Sequence, residues 1–394
     1  MAHATNRALF FAHQAQTTPE PLALEITRAE GCWMYRPDGT RVLDLISGIS
    51  VSNLGHRHPA VVAAIHQQVD TYLHLLVYGE VVQTPQVQLA QALAATTGGR
   101  LGQVYFVSSG SEAIEGAIKL AKRHTGRYQI VSCRQAYHGS THGALAAGGG
   151  EGYKPGYLPL VPGFKHIRHG VLEDLDRIGC RTAAVLIEPV QGEAGVRDAS
   201  PAYWQALRQR CTDMGALLMV DEIQTGYGRT GTFWHYQQLG IEPDVIVTAK
   251  GMGGGMPLGA FMAAESVMAS LKANPLLGHI TTFGGHPVCC AAGLATLNVL
   301  QNSDLIAQVP HKARRFAQGL APIGELRHAG LLMALEVGSF ERVLAIQKRL
   351  LEANPAVLTD WFLYCDTALR LAPPLTISDH EIDLAVEAIR AAVS

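Results

Sequence analysis

Short apolar runs recur along the middle of the chain. They are VYFV (104–107), AAVLI (183–187), ALLMV (216–220) and VIV (245–247). None alternates polar and apolar positions, which predicts strands that are buried on both faces of a sheet. Helical spacing of apolar residues follows the first run, at Ile114, Ala117, Ile118 and Ala121. Strands that alternate with helices predict an α/β fold with a mostly parallel sheet in a large domain.

Polar residues stand where each predicted strand ends. They are SSGS (108–111), EP (188–189), DEIQ (221–224) and TAK (248–250). In parallel sheets, ligands bind at the carboxyl ends of the strands. The pattern therefore predicts that Glu188, Asp221 and Lys250 lie on one rim, beside a glycine turn that opens a helix.

Three segments are predicted from this organisation. Residues 56–295 hold the sheet and form the large domain. Residues 296–394 form a smaller α+β domain with helical patterns at 340–351 and 379–392. Residues 1–55 precede the sheet and are expected to pack with the smaller domain.

Composition narrows the class of protein. Of 394 residues, 48% are apolar and 16% charged, and the formal net charge is −2. A chain of this charge lacks the excess of basic residues that is typical of nucleic-acid-binding proteins. We find no membrane-length apolar run and no convincing secretory signal in MAHATNRALFFAHQAQ. The seven cysteines include no C-x-x-C, which predicts reduced thiols, mostly in the core of a cytoplasmic protein.

Lys250 ends an apolar run and is followed by GMGGG (251–255). Taken alone, a lysine at a strand end is more often a solvated side chain. Glycines, however, allow the backbone to approach closely, and a water-poor site lowers the pKa of a lysine by several units. Such an amine can act as a nucleophile and form a Schiff base.

The segment SGSE (109–112) matches a capping box, with Ser109 as N-cap and Glu112 at the third helical position. One interpretation is a well-capped helix and no more. The other is a phosphate site made by free backbone N–H groups at the positive helix end. No Walker A motif occurs, so this phosphate need not belong to a nucleotide.

Asp221 is a carboxylate at the end of a buried strand, which is costly unless the charge is paired. It indicates either an ion pair or a partner for a protonated ring nitrogen. A Schiff-base lysine, a phosphate site and a carboxylate for a pyridinium nitrogen are together what pyridoxal phosphate needs.

Other motifs give weaker indications. GYGRTG (226–231) fits G-x-G-x-x-G and raises the alternative of a nicotinamide-dependent oxidoreductase. Its context is poor, because DEIQT separates it from the strand and no acidic residue follows at about 20 positions. His56 and His58 form H-x-H without further ligands, so we predict turn or core roles and no metal. No G-x-S-x-G elbow is present.

The chain resembles the class III, fold type I aminotransferases, the group of ornithine, acetylornithine, 4-aminobutyrate and putrescine aminotransferases. The resemblance rests on motifs spread over nearly the whole chain: LDLISGISVSNLGHRHP, FVSSGSEAIEGAIKLAKRHTGR, AYHGSTHGAL, LIEPVQGEAGV, VDEIQTGYGRTG, TAKGMGGGMPLGAF, ITTFGGHPVCCAAGLA and LRLAPPL. It implies the PLP-transferase fold with a seven-stranded sheet, and it explains GYGRTG as a family loop.

The resemblance also implies roles for individual residues. Lys250 would bind the cofactor and shuttle a proton, and Asp221 would pair with the ring nitrogen. Gln224 would approach the phenolic oxygen, between Tyr137 on one ring face and Ile223 on the other. The implied cofactor-binding set is Ser109, Gly110, Ser111, Tyr137, His138, Glu188, Asp221, Ile223, Gln224, Lys250 and Thr282.

Substrate and partner roles follow in the same way. Thr282 would reach the phosphate of a neighbouring subunit, which implies a homodimer with shared active sites. Arg370 would grip the substrate's α-carboxylate. Glu193 would pair with Arg370 when a donor without a nearby carboxylate is bound.

One position departs from the ornithine and acetylornithine pattern, which has arginine where this chain has Ser140. Serine cannot replace the bidentate contact of arginine with a carboxylate. We therefore predict an amine, diamine or ω-amino donor, with 2-oxoglutarate as acceptor and a ping-pong mechanism. Acetylornithine-, ornithine- and 4-aminobutyrate-type activities stay open, as does a catalytically idle dimer with a binding role.

Overall fold

The computed structural model describes residues 5–77 and 79–394, and strands alternate with helices or helical turns over residues 103–268. The strands are β1 (Arg28–Glu30), β2 (Trp33–Tyr35), β3 (Arg41–Asp44), β4 (Gln103–Val107), β5 (Gln129–Cys133), β6 (Phe164–Ile167), β7 (Thr182–Ile187), β8 (Leu217–Asp221), β9 (Val245–Thr248), β10 (Gly259–Ala263), β11 (Leu326–Ala329), β12 (Leu332–Glu336), β13 (Ala356–Leu358), β14 (Asp360–Phe362) and β15 (Cys365–Leu371). The helices are α1 (Asn6–His13), α2 (Ser47–Ser50), α3 (Pro59–Thr71), α4 (Thr84–Ala95), α5 (Gly110–Thr125), α6 (His142–Ala147), α7 (Pro201–Met214), α8 (Glu265–Met268), α9 (Pro287–Gln301), α10 (Leu305–Leu320), α11 (Phe340–Glu352) and α12 (Asp379–Val393).

The large sheet confirms the predicted α/β fold. Within the described residues it contains seven strands in the order β4-β10-β9-β8-β7-β5-β6. Strands β5 to β9 pair in parallel, and only β10 among the seven runs antiparallel to its neighbours. The carboxyl ends of β7, β8 and β9 therefore meet at one edge, where Glu188, Asp221 and Lys250 follow.

Strand β4 differs from its prediction. The run VYFV (104–107) is not buried on both faces in the single chain, because β4 is an edge strand and pairs only with β10 among the described residues. Val104, Tyr105 and Phe106 are half-buried, and Val107 alone in this run is fully covered. The apolar run is thus the signature of a strand with one free edge.

Helix α5 lies against the large sheet and brings its N-terminus to the rim. Its apolar stripe, which includes Ile114 and Ala117, is completely buried. Gly116 lets the helix approach closely, since a Cβ there would lie 2.3 Å from Cε1 of Phe261 on β10. The helix ends at Gly126, whose φ of 66° is readily adopted by glycine.

The first and last parts of the chain share a sheet. Strand β13 pairs in parallel with β3, with Ala356 opposite Val42. A second sheet, β11-β12-β15-β14, is antiparallel. The predicted helical patterns at 340–351 and 379–392 are observed as α11 and α12.

The predicted boundary at 295/296 falls inside α9, which packs on α3 and α4 without interruption. The division into three segments stays a prediction, and residues 1–4 of the first segment lie outside the described residues. Among residues 5–77 and 79–394, no helix is both long and apolar enough to cross a membrane.

Candidate active site

A cavity of about 460 Å³ opens at the carboxyl ends of β4, β7, β8 and β9, and we call it the inner chamber. It brings together residues that lie more than 200 positions apart in the sequence, from Val51 to Leu258. The predicted cofactor-binding residues that line it are Ser109, Gly110, Ser111, Tyr137, His138, Glu188, Asp221, Ile223, Gln224 and Lys250. Of the predicted set, only Thr282 lies outside, on the exposed surface of its own chain.

Lys250 begins a short helical turn directly after β9, with a left-handed φ of 47°. The following glycines are required by close neighbours, because a Cβ on Gly251 would lie 2.6 Å from Asn53 Nδ2 and one on Gly254 2.2 Å from Thr296 Oγ1. Burial lowers the pKa of the Lys250 amine to about 8, although the charge of Glu193 opposes this shift. A substantial fraction of the amine is therefore unprotonated near neutral pH.

Asp221 is buried at the end of β8 and is held from two sides. Its Oδ2 lies 2.7 Å from His138 Nδ1, and its Oδ1 accepts a hydrogen bond from the Ile223 N–H at 3.0 Å. The imidazole must donate, since an ionised carboxylate only accepts. The pair fixes the carboxylate and leaves His138 Nε2 buried without a partner among the described residues.

Glu188 is the second buried carboxyl group of the rim. It accepts the Tyr137 N–H at 3.2 Å and the Gly192 N–H at 3.3 Å. Burial, followed by the charge of Asp221, raises its pKa well above the usual range. The raised pKa favours the neutral form of Glu188 beside Asp221, and its two hydrogen bonds tie together the loops that carry Tyr137 and Gly192.

The N-terminus of α5 forms another wall of the inner chamber. Ser109 is the N-cap, and its Oγ accepts the Glu112 N–H at 3.2 Å, as predicted. The reciprocal contact differs from a capping box, because Glu112 Oε2 accepts from the Ser108 N–H at 2.7 Å instead of from Ser109. The first N–H groups of the helix have no intrahelical acceptor and are available to an anion.

The loop after β5 closes over this helix end. A Cβ on Gly139 would lie 2.3 Å from Ser111 Oγ, and φ at Gly139 is 129°, so only glycine fits there. Ser111 Oγ accepts the Ser140 N–H at 3.3 Å, which leaves its own hydroxyl proton to be donated. The contact holds the loop that carries Tyr137 and His138 against α5.

A second cavity, of about 320 Å³, adjoins the first and is called the arginine chamber. Lys250 and Tyr137 line both cavities. Arg370, from β15, is buried and its Nη2 lies 2.6 Å from Glu193 Oε2. Its Nε and Nη1 have no hydrogen-bond partner among the described residues. A buried guanidinium with unpaired donors facing a cavity can receive a planar anion such as a carboxylate.

Glu193 is held in this pairing by several donors. Its Oε2 also accepts from the Leu363 N–H, and its Oε1 accepts from Gln224 Nε2 at 3.1 Å. Burial would raise its pKa, but the charge and hydrogen bond of Arg370, the charge of Lys250 and the Leu363 N–H outweigh burial and lower it. Glu193 therefore stays ionised, and Gln224 keeps its Oε1 free of described partners on the inner-chamber side.

A third cavity, of about 290 Å³, is called the tyrosine chamber. Ser140 lines it and does not line the inner chamber. The Ser140 hydroxyl lies 3.2 Å from the Tyr137 hydroxyl. The residue that departs from the family pattern therefore faces a separate space that adjoins the two chambers next to Lys250.

Two features of the site were not predicted from the sequence. The first is a left-handed backbone turn at Ser47, Gly48, Ile49 and Ser50, of which Gly48 and Ile49 line the arginine chamber. Such φ values are unfavourable for isoleucine, so no sequence signal suggested them. The second is the group of tyrosines that lines the tyrosine chamber. The sequence indication for it is the pair Tyr153 and Tyr157, four positions apart in a Gly- and Pro-rich loop, and this spacing alone does not predict a binding site.

The GYGRTG segment does not form a dinucleotide site. No helix follows it directly, and the next element is a short helical turn at His235–Gln238. Arg229 is buried, and its Nη2 donates to Asn53 Oδ1 at 2.6 Å. Its Nη1 donates to the carbonyls of Leu331 and Pro373. The loop thus ties the large sheet to the first and last parts of the chain.

The histidines of the H-x-H motif lie directly before α3. His56 Nε2 lies 2.8 Å from Asp44 Oδ2 in a turn. In residues 5–77 and 79–394 there is no group of three or more His, Cys, Asp or Glu side chains that could hold a metal ion.

Comparison with known proteins gives the family. The class-III aminotransferase family model matches residues 14–393. The chain is 36% identical over 378 residues to an acetylornithine aminotransferase of Caldanaerobacter subterraneus subsp. tengcongensis, covering 92% of each chain. It is 30% identical, with a TM-score of 0.90, to an (S)-enantioselective omega-transaminase from Thermomicrobium roseum, covering 98% and 96% of the two chains.

A third relative bears on the cofactor. An amine transaminase from an uncultivated Pseudomonas species, in a PLP-bound form, is 28% identical with a TM-score of 0.86 over 96% and 97% of the chains. The inner chamber fits that group. It offers a lysine of lowered pKa, a buried carboxylate, a helix N-terminus, and a buried Gln224 Oε1 still in need of a partner. The chain belongs to the class-III aminotransferases, and its cofactor is pyridoxal phosphate.

Proposed function

We propose that this aminotransferase moves an amino group from a primary amine, diamine or ω-amino donor to 2-oxoglutarate, by a ping-pong mechanism in which both substrates use the same chambers. The observation that carries the proposal is the buried pair of Arg370 and Glu193 in the arginine chamber. Glu193 contacts Arg370 on one side, and on the other side Nε and Nη1 make no hydrogen bond to described residues, with Asp360 Oδ2 4.0 Å from Nε.

The pair of Arg370 and Glu193 can accommodate first an uncharged or cationic donor and then an oxo acid that carries a carboxylate. With Glu193 in place, the positive charge of Arg370 is balanced, so a donor without a carboxylate at that point leaves no buried charge unpaired. When an oxo acid enters, its carboxylate can displace Glu193 and use the fork of Arg370. Glu193 Oε2 keeps the Leu363 N–H as an alternative partner.

Ser140 supports an amine donor over a donor with a second carboxylate. It stands where ornithine- and acetylornithine-type sequences carry arginine. A charge-assisted contact is worth about 1.5–3 kcal/mol, which serine does not supply. The 36% identical relative is an acetylornithine aminotransferase, so acetylornithine transfer is the second candidate, and position 140 is the observation against it.

Each residue of the inner chamber has a defined task in this proposal. Pyridoxal phosphate, when bound, supplies a carbonyl carbon for amines and a ring that withdraws electrons from the substrate's Cα. Lys250, unprotonated in part near pH 7, would hold the cofactor through its amine and would carry the substrate's Cα proton on its Nζ. Asp221 holds negative charge at the base of the chamber, and His138 keeps it oriented. The α5 N-terminus binds the phosphate.

The proposal includes a homodimer that shares its sites. In the single chain, an apolar surface lies uncovered on residues 73–77, 79–87 and 276–283, where Val82 is 90% exposed and Leu276 76%. His74 and Phe283 join its two parts, with ring centroids 5.0 Å apart. Patches of this kind are typical of subunit interfaces. Thr282 lies in this surface, from which it would reach the partner's phosphate.

The dimer can be tested by light scattering after size-exclusion chromatography. Val82→Asp is expected to give monomers that bind pyridoxal phosphate weakly. Leu344→Asp, at an exposed position of α11 remote from this surface, serves as control and should stay dimeric. A wild-type monomer with full activity would contradict the shared site.

The donor class is tested by a panel of amines with 2-oxoglutarate and pyruvate as acceptors. We expect putrescine and cadaverine to react faster than N-acetylornithine. Rates for these diamines no higher than for N-acetylornithine would contradict the proposal. Bound cofactor without transfer from any donor would favour an idle dimer with a binding role.

A further inference from the structure

The tyrosine chamber is lined by aromatic rings and hydroxyl groups, whereas the inner chamber and the arginine chamber are both lined by the charged side chain of Lys250. We propose that it binds the distal ammonium group of a diamine donor, with its aromatic rings and hydroxyl oxygens as the recognising groups. This inference rests on the proposed function and narrows its donor class.

The position of the chamber suits the far end of a donor. Tyr137 lines all three cavities, and Leu363 lines both the arginine and the tyrosine chamber. A donor whose reacting amine lies at Lys250 can therefore extend past Tyr137 into the third space. Arg370, still paired with Glu193, stays outside that path.

The walls of the chamber favour a cation. Four tyrosines line it, Tyr137, Tyr153, Tyr157 and Tyr364, and none of its described lining residues is lysine or arginine. Aromatic faces attract ammonium groups within about 6 Å, and phenolic oxygens accept their hydrogen bonds. A carboxylate would find hydroxyl groups and one imidazole, that of His142, instead of a guanidinium.

The tyrosines are held in place by specific contacts. Tyr153 and Tyr364 meet edge to face, with ring centroids 5.6 Å apart. The Tyr153 hydroxyl donates to the Leu363 carbonyl at 3.3 Å. A Cβ on Gly150 would lie 2.3 Å from Cε1 of Tyr364, so glycine is needed there to admit the ring. The chamber is thus built around its aromatic rings.

The surrounding charges have the sign that a cation needs. Burial, followed by the negative charges of Glu193 and Asp366, raises the pKa of the Tyr153 hydroxyl. Burial, followed by Glu188 and Glu193, raises the pKa of Tyr364 in the same way. An ammonium group in the chamber would be attracted by the carboxylates of Asp366 and Glu193, the second of which is shared with Arg370.

The test compares four-carbon primary amines that end in ammonium, hydroxyl or methyl, with kcat/KM measured at fixed 2-oxoglutarate. We expect the ammonium-ended donor to exceed the methyl-ended one by about ten-fold. Tyr153→Leu and Tyr157→Leu, at half- to largely exposed positions, should reduce this ratio. Tyr128→Leu, the same change at an exposed position outside the chamber, should leave the ratio intact.

Ser140→Arg provides the converse test. A guanidinium in the chamber should lower kcat/KM for the diamine and raise it for N-acetylornithine, whose distal end carries a carboxylate. If the methyl-ended donor equals the diamine in the wild type, or the tyrosine variants leave the ratio unchanged, the inference is wrong while amine transfer itself stands. If none of the amines reacts, the inference and the proposed donor class both fail.

Discussion

The inner chamber and the tyrosine chamber share Tyr137 and are otherwise built on different principles. The inner chamber lies at the ends of parallel strands, and its Asp221 and Glu188 are buried and held by two contacts each. The tyrosine chamber is made by loops and the short helix α6, and its Tyr157 is 60% exposed. Rigid strand ends fix reacting groups, whereas loops can vary without disturbing them.

The comparison predicts two kinds of mutational effect. Changes in the inner chamber should slow both half-reactions for every substrate, because all substrates meet the same reacting groups. Changes in the outer chambers should alter the choice of substrate and leave the chemistry intact. The predictions below test this division.

The largest effect is expected for Lys250→Ala. Removing the proton-carrying amine should lower kcat by at least about 10²-fold for every donor and acceptor. Lys272→Ala, at an exposed lysine on the surface, is the matched control and should be unaffected. Single-turnover measurements of each half-reaction would check this, and retention of either half-reaction would place the reacting amine elsewhere.

The next largest effect is expected for Asp221→Asn. The amide keeps the size of the side chain and a contact with His138 but removes the charge, so we expect a loss of about 10²–10³-fold in both half-reactions. Asp213→Asn, an exposed carboxylate on α7, gives the background effect of the same change. Stopped-flow absorbance resolves the two half-reactions. Near-normal rates would show that the buried charge is only structural.

Arg370→Lys should separate the two half-reactions. Lysine keeps the positive charge opposite Glu193 but loses the planar fork. The KM for 2-oxoglutarate should rise about ten- to a hundred-fold, with the amine half-reaction little changed. Arg390→Lys, on the exposed face of α12, is the control. Equal losses in both half-reactions would mean that Arg370 also holds the donor.

The last prediction concerns the pH dependence of cofactor binding. Because the pKa of Lys250 is about 8, the unprotonated fraction falls about ten-fold for each pH unit well below that value. Covalent capture of pyridoxal phosphate by the apoprotein should accelerate from pH 6 to 8 and then level off. Glu193→Gln removes a charge that raises this pKa, so it should shift the profile to lower pH. A rise that continued beyond pH 10 would contradict the lowered pKa.

The same division explains what could be predicted from the sequence. Glu188, Asp221 and Lys250 were predicted to meet because parallel strands end at one edge of a sheet, and they do. The capping contact was predicted less accurately, because the Glu112 side chain accepts from the N–H of Ser108 instead of from that of Ser109. The VYFV run is apolar although its strand lies at an edge.

The outer chambers depend on contacts between distant parts of the chain. Tyr364 joins Tyr153 only after the last strands fold back over the loop behind β5, so no local pattern announces the pair. The left-handed turn at Ile49 is imposed by tertiary contacts against the preference of the residue itself. The sequence alone therefore did not predict these chambers, and Ser140 was identified as a substrate-binding position only through the family resemblance.

The central claim is that Lys250 holds the cofactor in the chamber where Asp221 is buried. Borohydride reduction of the holoenzyme, followed by digestion and mass spectrometry, tests it most directly. We expect the pyridoxyl group on the peptide that contains Lys250, and no labelled peptide in Lys250→Ala. A label on any other lysine of the wild-type protein would contradict the account.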